Sequence, residues 1–213
     1  MTSLISTLFL VPTEFELEFL SLALIQRIKN SNCEIRICGF GPIVSAIRTT
    51  QLIAEHSPKQ ILLTGIAGAL DLRIPVGTSV EFDIVICFGI GVGTGDDFIS
   101  ASDMGWSQWP DVPQISDSIR LGEDNVAGCV PLLTCCSASA NEHDVQLRLK
   151  KYPNAVAEDM EGFSVAAACR FAGTPLRIVR GISNQAGDRN KENWRVRDAM
   201  HAVEKSILKV LDS

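Results

Sequence analysis

Residues 176–189 read Leu176-Arg177-Ile178-Val179-Arg180-Gly181-Ile182-Ser183-Asn184-Gln185-Ala186-Gly187-Asp188-Arg189. The run 176–179 is β-type, and a polar Arg–Ser–Asn cluster follows where that strand should end. In open α/β sheets, ligands lie off the carboxyl ends of strands. The stretch therefore predicts an α/β sheet with a pocket at one edge of it.

Upstream, the elements alternate in the way that sheet requires. A strand is expected at Thr7–Val11, stopped by Pro12, and a helix over 14–29 with Leu17, Leu20, Leu24 and Ile28 on one face. A strand over 33–38, a turn at Gly39-Phe40-Gly41-Pro42 and a helix over 43–55 come next. The run 61–64 reads as a short, buried central strand. Thr64-Gly65-Ile66-Ala67-Gly68 then turns tightly or lets backbone approach closely to something. Strand character returns over 79–88 and 130–134, and a helix is expected over 141–150. A short strand at 155–157 ends at Glu158-Asp159-Met160-Glu161. Helices follow over Gly162–Ala172 and 194–211. Residues 89–113, rich in Gly, Asp and Trp, show no clean period. A loop so long suggests a functional or interface role. Strands alternating with helices predict one α/β domain spanning 1–213, a central mixed, mostly parallel sheet flanked by helices.

Bulk composition agrees. At 213 residues the chain suits one domain. Such a domain buries roughly 70% of its unfolded surface. A net charge of −6 argues against a non-specific nucleic-acid binder or a polybasic membrane binder. No apolar stretch reaches the ~20 residues of a membrane span. The cysteine count of seven is odd, and no basic segment precedes the first apolar run. These features lead us to expect reduced thiols in a cytoplasmic protein. Cys33 and Cys38 match no zinc spacing and read as small buried residues.

Four polar groups fall where strands end: Glu16, the Gly65–Gly68 turn, the Asp159–Glu161 cluster, and Arg180 with Ser183 and Asn184. In a parallel sheet these ends converge on one edge, so they are expected to line one pocket.

These residues resemble the motifs of the nucleoside phosphorylase and nucleosidase superfamily. Thr64-Gly65-Ile66-Ala67-Gly68 is similar to its Thr-Gly-Ser-Ala-Gly turn, and Gly39-Phe40-Gly41 to its Gly-Ile-Gly turn. Asp159-Met160-Glu161 resembles its Glu-Met-Glu motif, and Val179 to Asn184 its Val-Arg-x-Ile-Ser-Asp motif. The likeness runs from about residue 7 to 211 and is weak over 89–125. Met160-Glu161-Gly162-Phe163, and Arg180 to Asn184 followed by Gly187-Asp188-Arg189 and Trp194, look like the futalosine-hydrolysing branch.

The resemblance implies hydrolysis of the N-glycosidic bond of futalosine, with release of hypoxanthine in menaquinone biosynthesis. It gives Glu161 the ribose 2′ and 3′ hydroxyls, Met160 the ribose face, and Glu16 the attacking water. Arg180 is placed near that water and the sugar. Gly65, Ser183 and Ser139 are implied as further substrate contacts. It also implies a homodimer or higher homo-oligomer acting on a small-molecule purine nucleoside, with no metal or organic cofactor.

Two positions depart from the family pattern. Asn184 stands where an aspartate protonates purine N7. An amide cannot deliver a proton, but its NH₂ can meet N7 or O6 of a 6-oxopurine. That suits hypoxanthine and leaves the proton donor unassigned, with Asp188 as one candidate. At Ala138-Ser139, where the family often places an aromatic, small residues stand. Stacking is then expected from Phe98, Trp106 or Trp109, or else the space fits the benzoate end of futalosine. Competing readings are a methylthioadenosine/adenosylhomocysteine nucleosidase, a phosphorylase using Arg48 or Arg73 for phosphate, and a silent nucleoside-binding protein.

Overall fold

The computed structural model describes residues 5–121 and 129–212. The end of the weakly matching stretch, residues 122–125, lies outside them.

Strand β1 (Thr7–Val11) is buried throughout and leads through Pro12 to helix α1 (Glu14–Leu17). The helix expected over 14–29 is broken. Helix α2 (Leu22–Lys29) restarts at Ser21, whose hydroxyl accepts from Leu24 N at 3.1 Å. Glu204, far along the chain, accepts from both Ser21 N and Ser21 Oγ. The break is thus set by an N-cap and a long-range anchor, neither of which disturbs the apolar period. Strand β2 (Cys33–Ile37), helix α3 (Pro42–His56), and strands β3 (Gln60–Leu63) and β4 (Ile66–Ala69) follow. The glycine turn is therefore short, and most of it is strand. The run 79–88 divides into β5 (Ser79–Phe82) and β6 (Ile84–Phe88). Asp83 between them accepts from Val130 N at 2.8 Å.

Residues 89–113 are not without structure: β7 (Gly91–Val92) pairs with β8 (Ile99–Ser100), and Trp109 bridges Ile115. The rest comprises β9 (Ser118–Arg120), β10 (Pro131–Cys135), α4 (Glu142–Lys151), β11 (Ala157–Asp159), α5 (Gly162–Ala172), β12 (Leu176–Gln185) and α6 (Val196–Leu211). All seven cysteines are free thiols.

Among the described residues the main sheet runs β2-β1-β3-β12-β4-β11-β10-β6-β9, with β5 also paired to β12. Most pairs are parallel; β11 with β4, β12 with β5, and β6 with β9 are antiparallel. The expected mixed, mostly parallel sheet is observed. Strand β12 does not stop at Val179, however. It runs on through Arg180 to Gln185 because β4 takes over from β3 as its parallel neighbour.

Alternating residues of the strands pack two helix layers. Leu8, Leu63 and Ile178 meet Leu52 of α3 and Val165 and Cys169 of α5. Phe9, Leu62 and Val179 meet Leu24 and Ile28 of α2 and Met200 and Val203 of α6. Gly181 lets α6 lie directly on β12: a Cβ there would be 2.5 Å from Ala199 O. No helix among the described residues is long and apolar enough to cross a membrane.

Candidate active site

The site begins where β1 leaves the sheet. Thr13 caps α1, its Oγ1 accepting from Glu16 N at 3.2 Å and donating to Glu16 Oε2 at 2.6 Å. Ile66 N, at the start of β4, donates to Glu16 Oε1 at 2.9 Å. Glu16 is buried. Burial raises its pKa, against the opposing effects of Arg180, Thr13 and the Ile66 N–H.

Glu161 occupies the N-cap of α5 but does not cap it. Asp159 Oδ2 accepts from Gly162 N at 2.9 Å, and Thr134 Oγ1 accepts from Phe163 N at 2.8 Å. With the first amides satisfied by others, the Glu161 carboxylate is free to turn inward. Its Oε1 accepts from Gly41 N at 3.0 Å and its Oε2 from Arg180 Nη2 at 3.1 Å.

Arg180 is fully buried at the centre of this cluster. Its Nε and Nη2 donate to Asp159 Oδ2 at 3.1 and 2.5 Å, and its Nη1 to Thr64 O at 2.6 Å. Burial alone would weaken its charge, yet Asp159, Glu161 and Glu16 outweigh that and raise its pKa further. One guanidinium thus faces three carboxylates. Burial lifts Glu161 to about 7, with Arg180 and the Gly41 amide pulling down and Asp159 and Glu16 pushing up.

Gly65 makes this convergence possible. Its φ of +127° is open chiefly to glycine, and a Cβ would be 2.6 Å from Glu16 Oε1 and 2.5 Å from Arg180 Nη1.

On the other wall, the pairing of β12 with β4 slips between Ile182 and Asn184, so Ser183 is the extra residue of a bulge. A bulge re-aims the side chains beside it. Ser183 Oγ donates to Asn184 Oδ1 at 2.8 Å. Asn184 Nδ2 donates to Gln185 O at 2.7 Å and, at the long distance of 3.4 Å, to Asp188 O. The loop beyond folds back: Arg195 N donates to Ser183 O at 2.7 Å, and Trp194 Nε1 to Asp188 O at 3.0 Å.

A cavity of ≈ 330 Å³ opens between these walls. Glu16, Met160, Glu161, Ser183 and Asn184 line it, as expected from the sequence. Arg180 and Gly65 do not; they stand behind Glu16 and Glu161. Arg180 therefore contacts the carboxylates and not the cavity. Ser139 is also turned away: its N and Oγ donate to Glu158 at 2.8 and 2.7 Å, and Ala138 takes the wall. Nor do Phe98, Trp106 and Trp109 reach the cavity. Its aromatic surfaces are Phe15, Phe40 and Trp194. Among the described residues no group of three or more His, Cys, Asp or Glu side chains is placed to hold a metal.

The profile of the phosphorylase superfamily matches residues 24–213. The chain belongs to the phosphorylase superfamily. Within it, the chain is 28% identical over 182 residues to the futalosine hydrolase of Streptomyces coelicolor, covering 83% of this chain and 77% of that protein. It is 27% identical over 169 residues to a 5′-methylthioadenosine/S-adenosylhomocysteine nucleosidase of Staphylococcus aureus, covering 75% of this chain and 71% of that one. Solved structures share the fold. The methylthioadenosine/S-adenosylhomocysteine nucleosidase of Colwellia psychrerythraea, in complex with adenine, superposes with a TM-score of 0.77 at 19% identity, covering 99% of this chain and 96% of its own. The futalosine hydrolase of Helicobacter pylori does so at 0.71 and 15%, covering 96% and 98%.

Some members of this site, and the role of others, were not visible in the sequence. Asp159 reads there as part of a motif, not as the anchor of Arg180. Strand alternation could have found it, since residues 158 and 159 must face opposite sides of β11. Phe15 carries no local signal, and Arg189 reads there only as part of a motif; the folding of α1 and of the 186–195 loop brings them to the cavity.

Proposed function

We propose that the protein is a nucleosidase that hydrolyses the N-glycosidic bond of futalosine and releases hypoxanthine. The observation that carries the reading is the pair Glu16 and Glu161, lining one cavity around a shared buried cation, with an amide at Asn184. Kinship with futalosine hydrolases supports the substrate.

Glu161 accepts from the ribose 2′ and 3′ hydroxyls, in charge-assisted bonds that are the strong kind. Met160 packs on the sugar. Glu16, held by Thr13 and Ile66, orients a water and takes its proton. The water oxygen bonds C1′ while the C1′–N9 electron pair leaves with the base as the hypoxanthine anion, which then takes a proton from solvent water. Positive charge developing on the sugar is stabilised by the carboxylates already in place. Arg180 keeps those carboxylates together. Asn184 meets the base through the N–H whose contact to Asp188 O is long and exchangeable. It offers N7 or O6 a donor but no proton, which favours a 6-oxopurine over adenine. Asp188 is not the missing acid: its carboxylate is engaged by Asn193 and by Asn190 N, which lower its pKa.

This chemistry would serve menaquinone biosynthesis in the cytoplasm. A homo-oligomer is supported by Phe40, Ile43, Val44 and Ile47, exposed apolar side chains running from the cavity along α3. The deciding experiment is incubation with futalosine, methylthioadenosine and inosine, separately and without phosphate, with chromatography for free base. Hypoxanthine from futalosine is the expected product. Adenine from methylthioadenosine alone would shift the reading to the adenine-releasing relatives, and a strict phosphate requirement would reject hydrolysis.

A further inference from the structure

We propose that Arg189, laid on Trp194 at the mouth of the cavity, binds an anionic group on the tail of the nucleoside. The site then selects substrates whose 5′ substituent ends in a carboxylate. This rests on the nucleosidase reading above and adds its specificity.

The cavity is graded from inside to outside. Glu16, Glu161, Ser183 and Asn184 are buried, whereas Phe15 and Phe40 are 54% and 64% exposed and Arg189 is exposed. With the ribose at Glu161 and the base at Asn184, the part of the ligand left for the mouth is whatever the 5′ carbon carries. Among the described residues that mouth offers three aromatic rings and one cation. The other charged side chains at the cavity, Glu16, Glu158, Asp159 and Glu161, are all acidic.

Arg189 is held in place by an aromatic ring. Its guanidinium carbon lies 5.0 Å from the Trp194 ring centroid, a stacking geometry that suits arginine. Trp194 is itself held through Nε1 to Asp188 O at 3.0 Å. Among the described residues, Arg189 has no hydrogen bond or ion pair from its guanidinium. Its neighbour Asp188 cannot supply one: Oδ1 accepts from Asn190 N at 2.9 Å and Oδ2 from Asn193 Nδ2 at 2.8 Å. The loop thus ties up the adjacent carboxylate and leaves the cation facing the cavity. A neutral tail gains nothing from it. An aromatic carboxylate gains ring contacts with the mouth and a charge-assisted bond. The benzoate end of futalosine has that chemistry.

The test compares a nucleoside carrying the aryl carboxylate with its methyl ester, in the native protein, Arg189→Gln and Arg189→Lys. Both turnover and calorimetric binding are measured on the full chain. The native protein should prefer the acid in kcat/KM by about tenfold or more, through KM, and the preference should weaken with salt. Arg189→Gln should erase the acid-to-ester ratio, and Arg189→Lys should restore part of it. If acid and ester are cleaved equally by the native protein, the inference falls while hydrolysis stands. If the acid is bound in preference through Arg189 but never cleaved, the subsite stands and the hydrolase reading falls. Loss of both substrates by one factor in Arg189→Gln would assign the cation to the base and overturn the proposal.

Discussion

Arg148 and Arg180 are both buried, and both bind carboxylates that stand side by side on β11. Arg148 pairs with Glu158, donates to Ser139 Oγ and to Ser137 O, and lies over the Phe88 ring. That cluster is balanced, one cation to one anion, and its remaining bonds are to the protein. Arg180 faces Asp159, Glu161 and Glu16 together. There the negative charge exceeds the positive, and burial with mutual repulsion raises the pKa of Glu161. A balanced pair holds the loop 137–140 in place. An unbalanced one retains carboxylates with lone pairs to offer a ligand, at a cost in stability.

The contrast can be broken most directly by removing each cation. Arg148→Met and Arg180→Met should each lose about 3–5 kcal/mol in urea unfolding, because each strands buried charge. Adding Glu158→Gln to Arg148→Met should recover most of the loss, since Gln still accepts from Ser139 N. No single carboxylate change should rescue Arg180→Met. Rescue by Asp159→Asn would make the two clusters equivalent.

Turnover separates them next. Glu16→Gln should lower kcat by about a hundred- to ten-thousandfold, while calorimetry still detects binding of the free base. Full activity would remove Glu16 from the chemistry.

A smaller effect tests the charge imbalance itself. Glu161 has an ordinary value of 4.5 and is raised to about 7 in the folded protein. The folded state therefore holds this proton more tightly than the unfolded one. The resulting stability is present below about 4.5 and is lost as pH rises through about 7. The melting temperature of Glu161→Gln, relative to the native protein, should accordingly climb across that window. In the native protein KM should fall over the same range, because only the ionised carboxylate accepts both ribose hydroxyls. A flat difference in melting temperature would deny the imbalance. Smallest of all, Trp106→Ala should leave KM unchanged and move stability by no more than about 0.5 kcal/mol, because Trp106 lies outside the cavity and is 70% exposed.

Some of these distinctions were legible before any coordinates. The positions of Glu16, Met160, Glu161, Ser183 and Asn184 follow from strand ends and motifs, which depend on local pattern. Ser139 and Arg180 show where that logic stops. Both occur in the expected segments, yet Ser139 turns toward Glu158 and Arg180 lies behind the carboxylates. The direction of a side chain depends on what packs against it. For Arg180 that is Thr64 on one side and Asp159 with Glu161 on the other, from two other parts of the chain.

From the residues alone come the alternation of strands and helices, the α/β class, the convergence of polar groups at one sheet edge, and an amide, which cannot deliver a proton, at position 184. These rest on periodicities of two and 3.6 residues and on side-chain chemistry, which are local properties. Tertiary structure decided that β12 runs past Val179, that α1 and α2 are separate, that one guanidinium binds Asp159 and Glu161 and faces Glu16, and that Arg189 lies over Trp194 with no ion pair among the described residues. The first three depend on contacts between residues far apart in sequence: β4 beside β12, Glu204 on Ser21, and Gly65 admitting Glu16 and Arg180; the last depends on how one loop folds back, with Asn193 engaging Asp188.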